Sequence, residues 1–136
     1  MTVIVCLSDG DGMMFNKRRQ SRDCAVIEDI GRLVGDGVVF ISDFSINLFS
    51  ESEFSVIAVS DPLCAASDED FVFLEDRGIG ESFGEIKRLV IYRWNRKYPT
   101  DFKLDKVPLT EGMTLSETLE FKGKSHEKIT REIWVW

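Results

Sequence analysis

The chain has 136 residues, 43% hydrophobic and 30% charged, which suits one globular domain over residues 1–136 with a single hydrophobic core. Its formal net charge of −7 excludes a general nucleic-acid coat protein, because phosphate contacts supply most non-specific affinity. The longest apolar runs, Thr2–Leu7, Val38–Ile41, Phe54–Val59 and Leu89–Tyr92, fall far short of the roughly 20 residues that span a bilayer.

Residues 2–7 are apolar and β-branched, and Ser8-Asp9-Gly10-Asp11-Gly12 follows with turn chemistry, so the chain opens on a strand. No basic stretch precedes it, so it does not read as a signal peptide, and a cytosolic protein is expected. Ser21 is placed to cap a helix with Asp23 in its first turn. Val26, Ile27, Ile30, Leu33 and Val34 then recur at helical spacing, and Gly35 stops the helix. Val38–Ile41 predicts a short buried strand, and Ser42 or Asp43 would cap a second helix carrying Phe44, Leu48 and Phe49. Phe54–Val59 and Phe71–Leu74 predict the next strands. Residues 79–86 predict a short helix leading into a strand over Arg88–Trp94.

Strands alternating with helices imply a largely parallel sheet covered on both faces. Thr114–Phe121 and Lys128–Trp136 predict an antiparallel hairpin across the polar break 122–127. Ile129, Ile133 and Val135 fall on one side of its second strand, and Thr130, Glu132, Trp134 and Trp136 on the other. The expected class is α/β, a mostly parallel central sheet flanked by helices with an antiparallel C-terminal hairpin.

Charge is unevenly distributed. Residues 17–22 and 87–97 hold nine of the 17 Lys and Arg and no Asp or Glu, which leaves eight basic against 24 acidic residues elsewhere. Lys17, Arg18, Arg19 and Arg22 lie on a predicted loop entering a helix N-terminus, where cations and free backbone donors suit a phosphate or carboxylate. Arg93, Trp94, Asn95 and Arg96 lie at a strand end, where open α/β sheets hold ligands, with Asp101 or Glu127 as possible counter-charges. Both Arg clusters also admit a solvated reading in which surplus acids pair with them.

Asp23 is the best carboxylate for acid–base work, and His126 is the only histidine. Ser125 and His126 are adjacent, point to opposite sides of a strand and form no relay, so His126 is assigned a structural or ligand-contacting role. The chain has no G-x-S-x-G elbow and no Walker motif, and Gly78-Ile79-Gly80 is too short for a dinucleotide signature. Cys6, Cys24 and Cys64 are odd in number and scattered, which predicts reduced, buried thiols, and with one histidine no metal site is expected.

Three strings carry a resemblance: Met14-Phe15-Asn16-Lys17-Arg18-Arg19-Gln20-Ser21-Arg22-Asp23, Tyr92-Arg93-Trp94-Asn95-Arg96-Lys97-Tyr98-Pro99 and Ser125-His126-Glu127-Lys128-Ile129-Thr130-Arg131-Glu132. They resemble the signature of a small family of uncharacterised bacterial proteins from Gram-positive anaerobes, often labelled "ribonuclease Z". A true ribonuclease Z needs an H-x-H-x-D-H zinc motif, which one histidine cannot supply. The order of elements also resembles dihydrofolate reductase: a strand, a loop, a helix beginning at Asp23, a Gly78–Gly80 turn, a Tyr-Pro-Thr-Asp-Phe segment over 98–102, and a terminal hairpin. That resemblance implies a substrate-binding role for Asp23. The family's W-x-x-P is replaced by Phe15-Asn16-Lys17-Arg18, and its G-R-x-T turn is missing around Ser42–Ser45, so no nicotinamide cofactor is expected.

The expected function is binding of an anionic small molecule or nucleotide through Arg18, Arg19, Arg22, Arg93 and Arg96, with Trp94, Asn95 and His126 as secondary contacts. The alternatives are an enzyme, either a divergent reductase or a metal-independent nuclease using Asp23 or His126, and a protein-interaction module.

Overall fold

Ten strands and two α-helices follow one another in the computed structural model, which describes residues 1–136. In chain order they are β1 (Thr2–Leu7), β2 (Gly12–Phe15), β3 (Arg18–Arg19), α1 (Cys24–Val34), β4 (Val38–Ile41), β5 (Ser55–Ala58), α2 (Pro62–Ala65), β6 (Phe71–Phe73), β7 (Arg88–Arg93), β8 (Phe102–Lys103), β9 (Thr114–Phe121) and β10 (Ile129–Val135). Seven strands form the main sheet in the order β5-β4-β6-β1-β7-β10-β9. The first five are parallel, and β10 runs antiparallel to both β7 and β9. The expected class is therefore the observed one. No helix is long and apolar enough to cross a membrane.

Alternation along the central strands builds two cores, one on each face. Val3, Val5, Leu7, Val72, Leu74, Leu89 and Ile91 meet Met13, Ile79, Phe83 and Leu104 on one side. Ile4, Phe71, Phe73, Val90 and Tyr92 meet Val26, Ile30 and Val34 of α1 on the other, since those three recur every fourth residue along one helix face. Each fully buried aliphatic side chain stabilises the fold by about 1.5–3 kcal/mol. Asp29, on the buried side of α1, accepts from Tyr92 Oη (2.6 Å) and Arg131 Nη1 (2.9 Å), tying the helix to β7 and β10.

Several local expectations are corrected. The predicted helices over 44–49 and 79–86 are 3-10 turns, Asp43–Phe49 and Gly80–Glu85, segments too short to offset the cost of α-helix nucleation. Asp23, not Ser21, caps α1: its backbone is extended and its carboxylate accepts from Ala25 N–H at 2.9 Å. The predicted loop at 17–22 contains a hairpin, β2–β3, turned by Asn16 and Lys17 with φ of 51° and 60°. With β8 this hairpin forms a second, three-stranded sheet. The helix α2, capped by Asp61 and begun by Pro62, had no sequence counterpart. Cys24 and Cys64 are exposed rather than buried, because Cys24 opens α1 on its outer face and Cys64 lies in the short surface helix α2.

Candidate functional site

Between β1 and β6 the chain connections leave in opposite directions, β1 toward β4 and β6 toward β7. Such a switch point at the carboxyl ends of parallel strands is where open α/β sheets leave a crevice. Four segments converge there. The β2–β3 arm and the start of α1 come from the N-terminal part, and residues 98–102 and 122–127 from the C-terminal part. Thr100 Oγ1 and the Asp101 amide both bond Met14 O, and Gln20 Nε2 donates to Pro99 O at 2.8 Å, which docks the 98–102 segment on the arm.

Asp23 is the hub. Its Oδ1 accepts from the amides of Ala25 (2.9 Å) and Lys124 (3.0 Å). Its Oδ2 accepts from the Ser125 amide (2.9 Å), the Ser125 hydroxyl (3.2 Å) and His126 Nδ1 (3.0 Å). Burial alone would raise this carboxyl. The Lys124 amide, the His126 ring and the Ser125 and Ala25 amides together outweigh burial and hold it well below the usual carboxylate range. Gly123 makes this closeness possible, because a Cβ there would collide with Asp23 Oδ2 and approach Ile129 Cδ1 to 2.8 Å.

An ionised Asp23 accepting at His126 Nδ1 fixes the proton on that nitrogen and leaves Nε2 as an acceptor. Nε2 lies 2.9 Å from Ser21 Oγ and 3.1 Å from Tyr98 Oη. The ring is buried and stacks on Trp94, with centroids 4.5 Å apart and planes 23° from parallel. His126 therefore does take part in a carboxylate–imidazole–hydroxyl chain through Ser21, and the adjacent Ser125, in a loop rather than the expected strand, also reaches the ring with its Oγ 3.2 Å from Nδ1. Ser21 and His126 are 105 positions apart, so nothing in local spacing pointed to the pair.

Beside Ser21, a cavity of about 20 Å³ is lined by Cys6, Arg19, Gln20, Asp23, Glu75 and Trp94 among others, room for about one water. Buried Glu75 closes it, accepting from Arg19 Nε, from Arg19 Nη2 at 2.7 Å and from Ser45 Oγ at 2.5 Å. Burial and then the Glu75 charge push the Cys6 thiol far above its ordinary range, so it stays protonated. Two open clefts adjoin this neck. One, of about 570 Å³, is lined by Phe15, Asn16, Arg18, Arg19, Gln20, Tyr98 and Pro99. The other, of about 670 Å³, runs along Arg22, Glu28, Leu48, Glu51 and Lys124.

The Arg residues singled out in the sequence do not form one patch. Arg18 and Arg22 are exposed and carry no ion pair, each on a different cleft. Arg19 is paired with Glu75 and lies over the Phe44 ring. Arg93 is held between Asp11 and Glu132, each at 3.0 Å, rather than by Asp101 or Glu127. Asn95, with φ of 58°, turns the chain after β7 and donates to Lys128 O and Thr130 Oγ1. Arg96 donates to Ser125 O at 3.3 Å and, with Trp94 and Asn95, faces a separate hollow of about 210 Å³. Tyr98, Gln20 and Glu75 belong to the site although sequence reasoning gave them no role.

No protein-family model matches this chain, and no curated protein matches its sequence. In fold it is similar to a dihydrofolate reductase from Enterococcus faecalis, solved with NADP(H) and RAB-propyl. The TM-score is 0.68 over 98% of this chain and 94% of that one, at 6% sequence identity. The chain has the dihydrofolate-reductase fold. A dinucleotide needs free backbone N–H groups for its diphosphate, and the Gly78-Ile79-Gly80 turn does not offer them. Asp105 accepts from Ile79 N–H and Gly80 N–H, both at 2.9 Å, and its carboxyl group fills the space beside Gly78. With both amides bonded to this carboxylate, the turn has no free N–H pair to offer an anion.

Proposed function

We propose that the protein binds a small anionic ligand with a flat apolar part, a mononucleotide being the simplest such molecule, in the cleft between the β2–β3 arm and Tyr98-Pro99. One observation carries this reading. The cleft is lined by two guanidinium groups and the Phe15 and Tyr98 rings, with no carboxylate among its lining residues, in a chain of net charge −7. Arg18 is free to take the anion, and the rings offer a face to a heterocycle. Its volume of about 570 Å³ suits a small-molecule site. Gln20 borders both this cleft and the small cavity beside it, and its buried Oε1 has no hydrogen-bond donor in the protein.

A thermal-shift titration with inorganic phosphate, a purine mononucleotide and NADPH tests this. A ligand at 100 times its Kd adds about 2.7 kcal/mol, which moves the midpoint by on the order of 10 °C for a chain of this length. The mononucleotide should raise the midpoint of the native protein and fail to do so for Arg18→Ala. An equal shift in Arg18→Ala, or none in the native protein, would refute the cleft assignment. A shift with NADPH alone would favour a divergent reductase.

A further inference from the structure

We propose that Ser21 is a nucleophile, activated by His126 and Asp23, and that the protein cleaves small carboxylic esters. The inference stands on geometry independent of the anion-binding cleft. Asp23 Oδ2, His126 Nδ1, His126 Nε2 and Ser21 Oγ form a continuous chain with gaps of 3.0 Å and 2.9 Å. That is the connection by which an oriented imidazole takes a proton from a serine hydroxyl, and such constellations are recognised by geometry and roles rather than by sequence order.

Each member is held for that role. The carboxylate is fixed by three backbone amides, and the imidazole is clamped between that carboxylate and the Trp94 face. Ser21 is half-buried and lines the small cavity between the two open clefts, with its neighbour Gln20 lining one cleft and Arg22 the other. Arg19 and Arg22 line the same small cavity as Ser21; Arg19 is paired there with Glu75, which leaves Arg22 as the unpaired cation for a developing oxyanion.

The chemistry balances with water as the only co-reactant. Ser21 Oγ bonds to the acyl carbon while its proton passes to His126 Nε2. The acyl–oxygen bond to the leaving group breaks, and the imidazolium returns that proton to the departing alkoxide. Water then attacks the acyl-serine through the same imidazole, releasing the carboxylic acid and restoring Ser21. The cluster departs from a simple relay at two places: Tyr98 Oη, 3.1 Å from Nε2, competes with Ser21 for the acceptor, and Ser125 Oγ, 3.2 Å from Nδ1, shares Asp23 Oδ2 with the ring.

Treatment of the native protein with a small fluorophosphonate, followed by peptide mass spectrometry, reads the nucleophile directly. The adduct should fall on Ser21, be absent in Ser21→Ala, and form about 100-fold more slowly in His126→Gln. p-Nitrophenyl acetate should give a burst of nitrophenol, one per chain, that Ser21→Ala abolishes. Tyr98→Phe separates the relay from a merely structural network. Removing a competing donor should hold or raise the labelling rate, whereas a structural role for both hydroxyls has Ser21→Ala and Tyr98→Phe alter stability alike and labelling not at all. Absence of a Ser21 adduct in the native protein, or labelling that denatured protein reproduces, would overturn the proposal.

Discussion

Replacing Asp23 by Asn tests whether this carboxylate is the anchor of the C-terminal loop. Asn is nearly isosteric and remains a competent N-cap, so the Ala25 and Lys124 amides keep Oδ1 as an acceptor. The other oxygen becomes an NH2 group facing the Ser125 N–H, the Ser125 hydroxyl and His126 Nδ1. The imidazole can change tautomer and the hydroxyl can rotate, but the Ser125 amide is left without an acceptor. A buried unmet donor costs about 1–3 kcal/mol, and hydrogen bonds to a charged group are worth more than those that replace them. The expected loss is about 2–3 kcal/mol at pH 7.

With a urea m-value of about 2 kcal/mol/M, that loss lowers the midpoint by more than about 1 M, followed by the fluorescence of buried Trp94. The pH dependence supplies the control. Asp23 has a folded-state pKa depressed below its unfolded value of about 3.9. Between those values the unfolded chain binds more protons, so stability rises with pH there. The contribution of Asp23 is therefore complete above about pH 5 and is lost as the pH falls through the folded value. Other carboxylates act equally on both proteins, so the gap between native and Asp23→Asn midpoints should narrow steadily below pH 4. An unchanged midpoint at pH 7, or a gap that stays constant down to pH 2, refutes the anchoring role.

Arg131→Met leaves Asp29 buried with Tyr92 as its one remaining buried partner, and should cost about 3–5 kcal/mol in chemical denaturation. Adding Asp29→Asn to it should cost far less than the sum of the two single changes; strict additivity would show that the pair is not coupled. Gly123→Ala places a methyl group against Asp23 and Ile129 and should cost about 2 kcal/mol, seen as a lower Tm, whereas a Tm equal to the native value would contradict the close packing. Asp105→Ala frees the Ile79 and Gly80 amides, so Tm should fall and then recover in part on adding phosphate, a recovery the native protein should lack. No recovery would mean that the emptied turn does not hold an anion.

Periodicity carried the architecture. The apolar β-branched runs at 2–7, 38–41 and 88–93, the helical spacing of Val26, Ile30 and Val34, and the alternation along 129–135 reflect burial on known faces, and each appears where the local pattern placed it. The helical segments at 43–49 and 80–85 were legible as helices but not as 3-10 turns, and α2 not at all, because segments of four to seven residues have too few turns to show a period. The acidic residues that neutralise Arg19 and Arg93 were equally invisible, since Glu75 is 56 positions from Arg19 and Asp11 is 82 from Arg93. Asp23 and His126 stood out in the sequence as residue types able to carry protons. That they meet, and that Ser21 and Tyr98 complete the cluster, follows only from the sheet bringing positions 21, 98 and 126 to the same strand ends. A side chain's chemistry is local to its residue, but its protonation state and its partner are set by whatever the fold places within 3 Å.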